Sequence, residues 1–398
     1  MDYLSEPGSE DRRTFLKQIT GGMIGLSAGL GLPASSYAQK KHAESAKLAI
    51  TRIEKFKVQI PAKTGMVNTP EYAPDGLSTF WEGHKCILKL HGDNGFIGIG
   101  ETSRNYSEEA VDANIRFLTG KDIFSLNFAH PSLELPQRRV SSAFEMAIFD
   151  LIGKTWGVPV YKLLGGKCQE KAAVTYWTGR RNGQNMEKVA RKAVDMGYKG
   201  IKFKWRPDDP ILDELRALDK VAPELEIIVD LNRYYKEPEE FLKLARQFKG
   251  FNIRCIEDPV PHDMDLYTSF REKLDTPIAM TLGDPKQVIE AIKAGACDCF
   301  NFGGDMRNFV RICNVADAAG MQAWHGSGIE VGIQDAAYLH AITATRNCTI
   351  PSDVLGYLIR EDDLLAKTFT VKDGFATLPD APGLGVELDE DALKKYSV

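Results

Sequence analysis

The sequence predicts an α/β protein in which a small N-terminal α+β domain precedes a closed barrel of seven β/α units and a final strand, a (β/α)7β architecture. From about residue 171, apolar strand candidates alternate with helical stretches at intervals of about 27 residues or less, a period that is typical of parallel strands joined by crossover helices. Seven such strands and an eighth near residues 353–358 favour a closed barrel over an open sheet. The sequence carries no glycine-rich dinucleotide loop and no P-loop, which also disfavours the open sheet.

Length and charge limit the possible functions. A chain of 398 residues accommodates a barrel of about 250 residues and a smaller partner domain. The apolar fraction of 43% and the charged fraction of 26% are those of an ordinary globular protein. A formal net charge of −5 gives no electrostatic reason to expect a nucleic acid as a partner.

Residues 1–38 have the features of an export signal. Arg12 and Arg13 precede an apolar, glycine-rich run at 19–32, and small residues then lead to an A-x-A-like cleavage site at 36–38. The apolar run is shorter than the ~20 residues that a transmembrane helix needs, and twin arginines before such a run are typical of twin-arginine export signals. We therefore expect the twin-arginine translocation machinery as a partner, a periplasmic location, and no contribution of residues 1–38 to the fold.

The N-terminal domain is expected to span residues 48–170. Residues 84–100 are predicted to form a β-hairpin with its turn at 92–95, and residues 141–153 a helix that follows a serine cap. Residues 61–82 form a long loop rich in proline and glycine, which is typical of functional or disordered segments. The C-terminal residues 360–398 are expected to return and pack against this domain.

The barrel is expected to span residues 171–359, and polar side chains follow several of its strands. The strand candidates are 173–177, 199–204, 226–230, 253–257, 277–281, 298–302 and 320–325.

Three strand ends carry charged residues. Lys202 and Lys204 lie two residues apart in one strand, so both point to the same face, and two neighbouring ammonium groups lower each other's pKa. Asp230 and Glu257 end the next two strands. Carboxylates that converge at one edge are costly without a cation between them, and oxygen ligands favour Mg²⁺ or Mn²⁺.

These motifs resemble the enolase superfamily. K-x-K at 202–204, D-x-N at 230–232 and E-D-P at 257–259 occur in order at intervals of about 26 residues, and the segment 145–166 is also similar to that superfamily. More specifically, the chain resembles the mandelate racemase and muconate lactonizing group over about residues 48–398. The resemblance implies a TIM-type catalytic barrel capped by the N-terminal domain, and relatives of this kind often form homo-oligomers.

The resemblance also implies a mechanism. Mg²⁺ or Mn²⁺ would hold the carboxylate of a small-molecule substrate while a base removes the neighbouring α-proton and the cation stabilises the enediolate. Lys204 would be the base and Lys202 would polarise the carboxylate. Asp230 and Glu257 would be the first two metal ligands.

The third ligand departs from the family's pattern. The segment after the fifth strand is shortened, and Asp284 is the only carboxylate there. Asp284 precedes Pro285, so it could equally be the N-cap of the next helix. If Asp284 only caps the helix, metal binding is weakened or lost, and a metal-free homologue that binds a small molecule without turnover remains an alternative.

Asp305 and His325, at the sixth and seventh strand ends, resemble the Asp–His dyad of mandelate-racemase-like members. With His325 as the acid, the resemblance implies a lyase that dehydrates a sugar acid to a 2-keto-3-deoxy acid. With His325 returning a proton to the opposite face, the alternative is a racemase or epimerase, an isomerase. Further substrate-contact candidates are Asn232, Trp177, Arg180, Glu330 and Asp353.

Overall fold

The computed structural model describes residues 47–63, 65–67, 72, 83–354, 356–378 and 380–398. The predicted export signal and most of the loop at 61–82 lie outside these residues. Leu48–Val398 form one compact unit. Among the described residues, no helix combines the length and the apolar character that crossing a membrane requires.

Before residue 171, the described residues form a three-stranded antiparallel sheet and three α-helices. The strands, in spatial order, are β1 (Ile50–Val58), β2 (Lys85–Gly92) and β3 (Ile97–Glu101), and the helices are α1 (Glu108–Leu118), α2 (Ser141–Trp156) and α3 (Val160–Leu163). The predicted hairpin at 84–100 and helix at 141–153 are confirmed. The expected serine cap is wrong, because Val140 is the N-cap and the Ser141 hydroxyl donates to the carbonyl of Arg138.

Glycine lets β3 lie directly on α2. A Cβ atom at Gly98 would lie 2.0 Å from the carbonyl oxygen of Ala147, and one at Gly100 would lie 2.0 Å from that of Ala143. Any side chain would therefore separate the strand from the helix. This close packing anchors the N-terminal sheet on a helix of which twelve residues are buried.

The central feature is a parallel sheet of seven strands in the order β5 to β11. After the two-residue strand β4 (Ala172–Ala173), the parallel strands are β5 (Tyr176–Thr178), β6 (Gly200–Lys204), β7 (Glu226–Asp230), β8 (Ile253–Glu257), β9 (Ile278–Leu282), β10 (Cys299–Phe302) and β11 (Gln322–His325). The connecting helices are α4 (Gly183–Asp195), α5 (Ile211–Val221), α6 (Pro238–Ala245), α7 (Met264–Lys273), α8 (Pro285–Ala294), α9 (Met306–Ala318) and α10 (Gly332–Thr343). Each of the seven predicted strands overlaps an observed one, and the α/β barrel class is confirmed.

The predicted eighth strand at 353–358 is wrong in position and length. Gly356–Ile359 form a short helix, α11. The ring is instead joined by Ser352 and Asp353: the Ser352 amide donates to Ala173 O at 2.9 Å, and the Asp353 amide donates to His325 O at 2.8 Å. The Thr175 amide donates to Ser352 O at 3.0 Å. Two residues therefore bridge β11 to the first strand without forming a regular strand themselves.

The barrel interior is a small apolar cluster of its own. It consists of Ile228, Cys255, Ala279, Cys299, Trp324 and Ile350. Because side chains alternate along a strand, the residues between these positions and the mouth, such as Val229 and Ile256, pack outward into the main core. The next inward positions form the floor of the barrel mouth.

The C-terminal residues return to the N-terminal sheet. They form β12 (Val371–Lys372), β13 (Phe375–Ala376) and α12 (Glu390–Tyr396). The Val398 amide donates to Lys57 O at 3.0 Å, and the Gln59 amide donates to Tyr396 O at 3.0 Å. The chain end therefore extends the edge of β1 by backbone hydrogen bonds.

A buried carboxyl group makes stability sensitive to pH. Glu214 on α5 is fully buried, and one of its oxygens accepts from the Trp205 indole while the other has no hydrogen-bond partner among the described residues. Burial raises the pKa of Glu214 from 4.5 to about 8. The folded state therefore favours the protonated form, and this contribution is lost as the pH rises from about 4.5 to about 8.

Glu214→Gln is therefore expected to be neutral in stability near pH 4.5 and stabilising near pH 8. The gain should grow by up to about 1.4 kcal/mol per pH unit within that window. Urea unfolding at a series of pH values measures it. Glu224→Gln, at an exposed position, serves as the matched control, and equal effects of the two substitutions would contradict the assignment.

Candidate active site

A cavity of about 370 Å³ opens at the carboxyl ends of the barrel strands. Five cationic side chains and four carboxylates line it. The cationic residues are Arg104, Lys202, Lys204, Arg206 and Arg233, the acidic ones are Asp230, Glu257, Asp258 and Asp353, and the other lining residues include Trp177, Asn232, Tyr234, Thr281, Asn301, Ser327 and Ile329. With all nine groups ionised, the cavity has a net positive charge, which favours an anionic ligand.

The two lysines of β6 hold the acidic groups of the cavity together. Lys202 Nζ lies 2.7 Å from Glu257 Oε2, 2.7 Å from Asp353 Oδ2 and 3.6 Å from Asp230 Oδ2. Lys204 Nζ pairs with Asp230 Oδ2. The Lys202 side chain is 2% exposed, whereas that of Lys204 is 12% exposed. Both lysines line the cavity, Lys202 as the more deeply buried cation and Lys204 as the more exposed one.

The carboxylates decide the charge state of Lys202. Burial alone would lower its pKa, but Asp353, Glu257 and Asp230 outweigh burial and raise the pKa of Lys202 well above its ordinary value. The expectation that the two lysines depress each other's pKa is therefore wrong for Lys202. Burial would also raise the pKa of Asp230, yet Lys204 and Lys202 keep it below its ordinary value.

Glu257 is held by neutral donors as well as by Lys202. The Thr281 hydroxyl donates to Glu257 Oε1 at 2.8 Å, and the Asn301 side-chain amide donates to the same oxygen at 2.6 Å. Burial, with a contribution from nearby Asp230, raises the pKa of Glu257 to about 7. The fifth and sixth strands thus present hydrogen-bond donors to this carboxylate.

The cavity rim is shaped by Asp258. Its carboxylate accepts from the Thr281 amide at 2.9 Å, from His262 Nε2 at 2.8 Å and from Arg233 Nε at 3.0 Å. Asn232, Arg233 and Asp258 adopt left-handed backbone conformations, with φ of 46°, 62° and 46°. Such conformations in consecutive loops cost free energy and are typical of functional sites.

Asp284 is the N-cap of α8, so its expected role as a metal ligand does not fit the structure. Its Oδ1 accepts from the Lys286 amide at 2.9 Å at the start of α8, and its side chain is exposed. It does not line the cavity. Within the described residues there is no group of three or more histidine, cysteine, aspartate or glutamate side chains that could hold a metal ion. Two carboxylates with an ammonium between them do not fit the expected Mg²⁺ site.

Asp305 and His325 do not form the expected dyad. His325 follows the inward-facing Trp324, so its ring points outward and lies between Phe309 and Tyr338, with centroids 4.4 Å and 3.7 Å away. Its Nδ1 donates to Gly326 O at 2.8 Å, and burial lowers the pKa of His325 to about 3. Asp305 accepts from the Ser141 hydroxyl at 3.4 Å. Neither residue lines the cavity.

The other candidates divide into two groups. Trp177, Asn232 and Asp353 line the cavity, and Asp353 also pairs with Lys202. Arg180 binds both oxygens of Asp209, at 3.1 and 2.9 Å from its Nε, and its guanidinium stacks on Tyr72. Glu330 is fully buried and accepts from the Ser327 hydroxyl and the Gly328 amide. Arg180 and Glu330 therefore support neighbouring loops and do not line the cavity.

Several cavity residues were missed from the sequence. Thr281 and Asn301 lie two residues beyond the interior positions Ala279 and Cys299, so strand alternation alone was enough to find them. Arg206 and Arg233 follow the motif strands by two and three residues. No sequence signal distinguished these arginines from surface residues.

His325→Asn is expected to destabilise the protein by about 3 kcal/mol, because the ring loses its stacking on two aromatic side chains. Thermal unfolding measures the loss. Since His325 does not line the cavity, the folded variant should retain ligand binding and turnover. Unchanged stability together with lost turnover would instead restore His325 to the catalytic machinery.

Comparisons with known proteins agree with this architecture. Residues 185–392 match the sequence profile of the family described as Enolase C-terminal domain-like. The chain is 25% identical over 377 residues to the N-succinyl-L-Arg/Lys racemase of Bacillus cereus, covering 88% of this chain and 98% of that protein. The solved structure of that racemase superposes with a TM-score of 0.75 at 23% identity, over 88% and 98% of the two chains.

Two further relatives are also enzymes of this type. The chloromuconate cycloisomerase of Cupriavidus pinatubonensis is 26% identical over 340 residues, with 78% of this chain and 90% of that protein covered. The o-succinylbenzoate synthase of Bacillus subtilis is 25% identical over 347 residues, with 81% and 91% covered. Enzymes of this superfamily generally use Mg²⁺, and their activities are consistent with removal of an α-proton. The fold, the ordered strand-end residues and the matched profile together identify this chain as a member of the enolase superfamily, in its mandelate racemase and muconate lactonizing group.

Proposed function

We propose that this protein removes the α-proton of a small carboxylate with Lys204 and completes an elimination on the same face of the substrate. The observation that carries the proposal is the position of Lys204. Its ammonium group ends β6 inside the cavity and is more exposed than that of Lys202. The strand opposite β6 in a ring of eight is β10, which presents the neutral amide of Asn301.

The charges of the cavity support an anionic substrate. Lys202, Lys204, Arg206 and Arg233 line the space above the strand ends. Arg206 stacks on Tyr234, with its guanidinium carbon 3.7 Å from the ring centroid, which fixes its orientation. A fixed guanidinium at the rim can bind a second polar or anionic group while the lysines bind the carboxylate.

Lys204 acts first as the base and then as the acid in the proposed step. After its ammonium has released a proton to solvent, the Lys204 amine takes the α-proton, and the electron pair of the C–H bond is delocalised into the substrate carboxylate. That pair then forms the Cα–Cβ double bond as the bond to the β-substituent breaks. The Lys204 ammonium then returns the proton to the leaving group, so the base is regenerated. Cationic Lys202 stabilises the negative charge that develops on the substrate carboxylate.

A sugar acid that loses a β-hydroxyl as water remains the leading substrate class. The family resemblance implied that His325 is the acid. Because His325 lies outside the cavity, our proposal gives the role of acid to Lys204. Racemisation requires a proton-transfer group on each face, and the neutral amide of Asn301 does not provide one. A one-base isomerisation is the second candidate, because a cycloisomerase is among the relatives.

We assign no step to Mg²⁺, although it was expected from the sequence. The third strand-end ligand is lacking, and Lys202 already compensates the two carboxylates that would bind it. The reaction proposed here uses only side chains of this chain.

Lys204→Met is expected to lower α-proton exchange by at least about 10³-fold, because the base is removed while the apolar stem is kept. The assay incubates the protein in D₂O with a panel of hydroxy acids, sugar acids and other α-substituted carboxylates, and NMR detects the products. Release of water with formation of a 2-keto acid supports the elimination, and formation of an isomer supports the second candidate. Full exchange by Lys204→Met would exclude Lys204 as the base.

The matched control is Lys199→Met, at the exposed position that immediately precedes β6. It removes the same charge without altering the cavity and should retain exchange. If neither wild type nor control exchanges any member of the panel while both bind carboxylates, the protein is a binding homologue and the proposed activity is wrong.

We also propose that residues 1–38 direct the folded protein to the periplasm. The supporting observation is the Arg12–Arg13 pair before a short apolar run. Replacing both arginines by lysine is expected to leave the full-length precursor in the cytoplasm, because the export machinery reads the pair itself. Fractionation followed by mass determination of the N-terminus measures this, and periplasmic recovery of the double variant would contradict it.

A further inference from the structure

The position of Lys202 is unusual because three carboxylates converge on its ammonium group. Glu257 and Asp353 lie at 2.7 Å, and Asp230 lies at 3.6 Å. Asp230 and Glu257 are the residues that the sequence suggested as ligands of a divalent cation. The ammonium group pairs with both of them and supplies a positive charge where their carboxylates converge.

The next strand does not supply a third carboxylate. Strand alternation places Thr281, two residues after the interior Ala279, beside Glu257. Both Thr281 and Asn301 use hydrogen-bond donors toward Glu257 Oε1, at 2.8 and 2.6 Å. Donors in this orientation stabilise an isolated carboxylate, whereas a metal ligand must turn a lone pair toward the ion.

The acidic residue nearest to Thr281 in the sequence caps a helix and does not face the cavity. Asp284 lies three residues beyond Thr281 and caps α8 through the Lys286 amide. Losing this cap would destabilise α8. The strand β9 therefore supplies no carboxylate to the cavity, and the nearest one along the chain is held as a helix cap.

We infer that Lys202 replaces the divalent cation in this protein, and that Thr281 is the position at which divalent binding was lost. An ammonium group supplies one positive charge and needs no third ligand. It compensates Asp230, Glu257 and Asp353 permanently and faces the carboxylate of the ligand. The protein is thus expected to bind its ligand, and to turn it over under the proposed function, without a divalent metal ion.

The test is direct measurement of metal binding, which does not depend on knowing the substrate. Wild-type protein is dialysed against EDTA and titrated with Mn²⁺, and the free ion is followed by electron paramagnetic resonance. Wild type is expected to show no stoichiometric binding. Thr281→Asp is expected to bind one Mn²⁺ per chain, with an affinity at least about 100-fold above any wild-type binding, because it completes a three-carboxylate set.

Thr281→Asn is the matched control, since it has nearly the same shape as aspartate without the charge and should not bind Mn²⁺. Asp284→Asn should leave the metal response of wild type and of Thr281→Asp unchanged, because Asp284 is only a cap. Lys202→Met is a second, independent variant: removal of the ammonium leaves three facing carboxylates, and Mn²⁺ binding should appear in the folded variant.

The outcomes separate this inference from the proposed function. Stoichiometric Mn²⁺ binding by wild type that is lost in Glu257→Gln would overturn the inference and leave the proposed proton transfer in place. Failure of folded Thr281→Asp to bind Mn²⁺ would overturn the role of Thr281. Absence of turnover in wild type, with no metal binding, would overturn the proposed function while the replacement of the metal by Lys202 is supported.

Discussion

The ion pairs of Lys202 are the constraint on which the rest of the site depends. Three buried carboxylates at the mouth of a barrel repel one another and lose hydration, so they need a compensating charge at short range. Lys202 supplies that charge from the strand next to Asp230, and its own charge is stabilised by the same carboxylates. Each group is acceptable in the interior only because the others are present. A single replacement in this cluster therefore alters the electrostatic environment of the remaining members.

The barrel imposes this arrangement through the alternation of its strands. Ile228, Cys255, Ala279, Cys299 and Trp324 fill the interior, and on the first four of these strands the residue two positions later lines the cavity. This rule explains why Lys204, Asp230 and Glu257, which lie at strand ends in the sequence, line the cavity. It also explains why His325 is excluded from the cavity: it follows Trp324 directly, so it lies on the outer face among aromatic side chains.

The fold was therefore more predictable than the chemistry. Seven strands and their helices follow from hydrophobic periodicity, which is a local property of the sequence. The closing segment was harder to predict because its residues, such as Ser352 and Asp353, make backbone hydrogen bonds to the neighbouring strands without forming a regular strand. Asp284 and Asp305 were misassigned because a position after a strand does not show which way the side chain points. Asp284 caps the next helix, whereas the Asp305 side chain makes no capping hydrogen bond and accepts from the Ser141 hydroxyl. The sequence does not contain the turn geometry that decides whether a carboxylate after a strand faces the cavity.

Alternation also limits how a lost ligand could be replaced. Beyond Thr281, the next position of the same parity on this strand is Gly283, which has no side chain, and Asp284 has the opposite parity and caps α8. A divalent site could thus be rebuilt on β9 only at Thr281 itself, where the hydroxyl now donates to Glu257. The Asp284 cap, Gly283 and the buried Lys202 ammonium are all consistent with a site that holds no divalent ion. With the backbone in this conformation, the Lys202 side chain compensates the carboxylates without any movement of a strand or helix of the barrel.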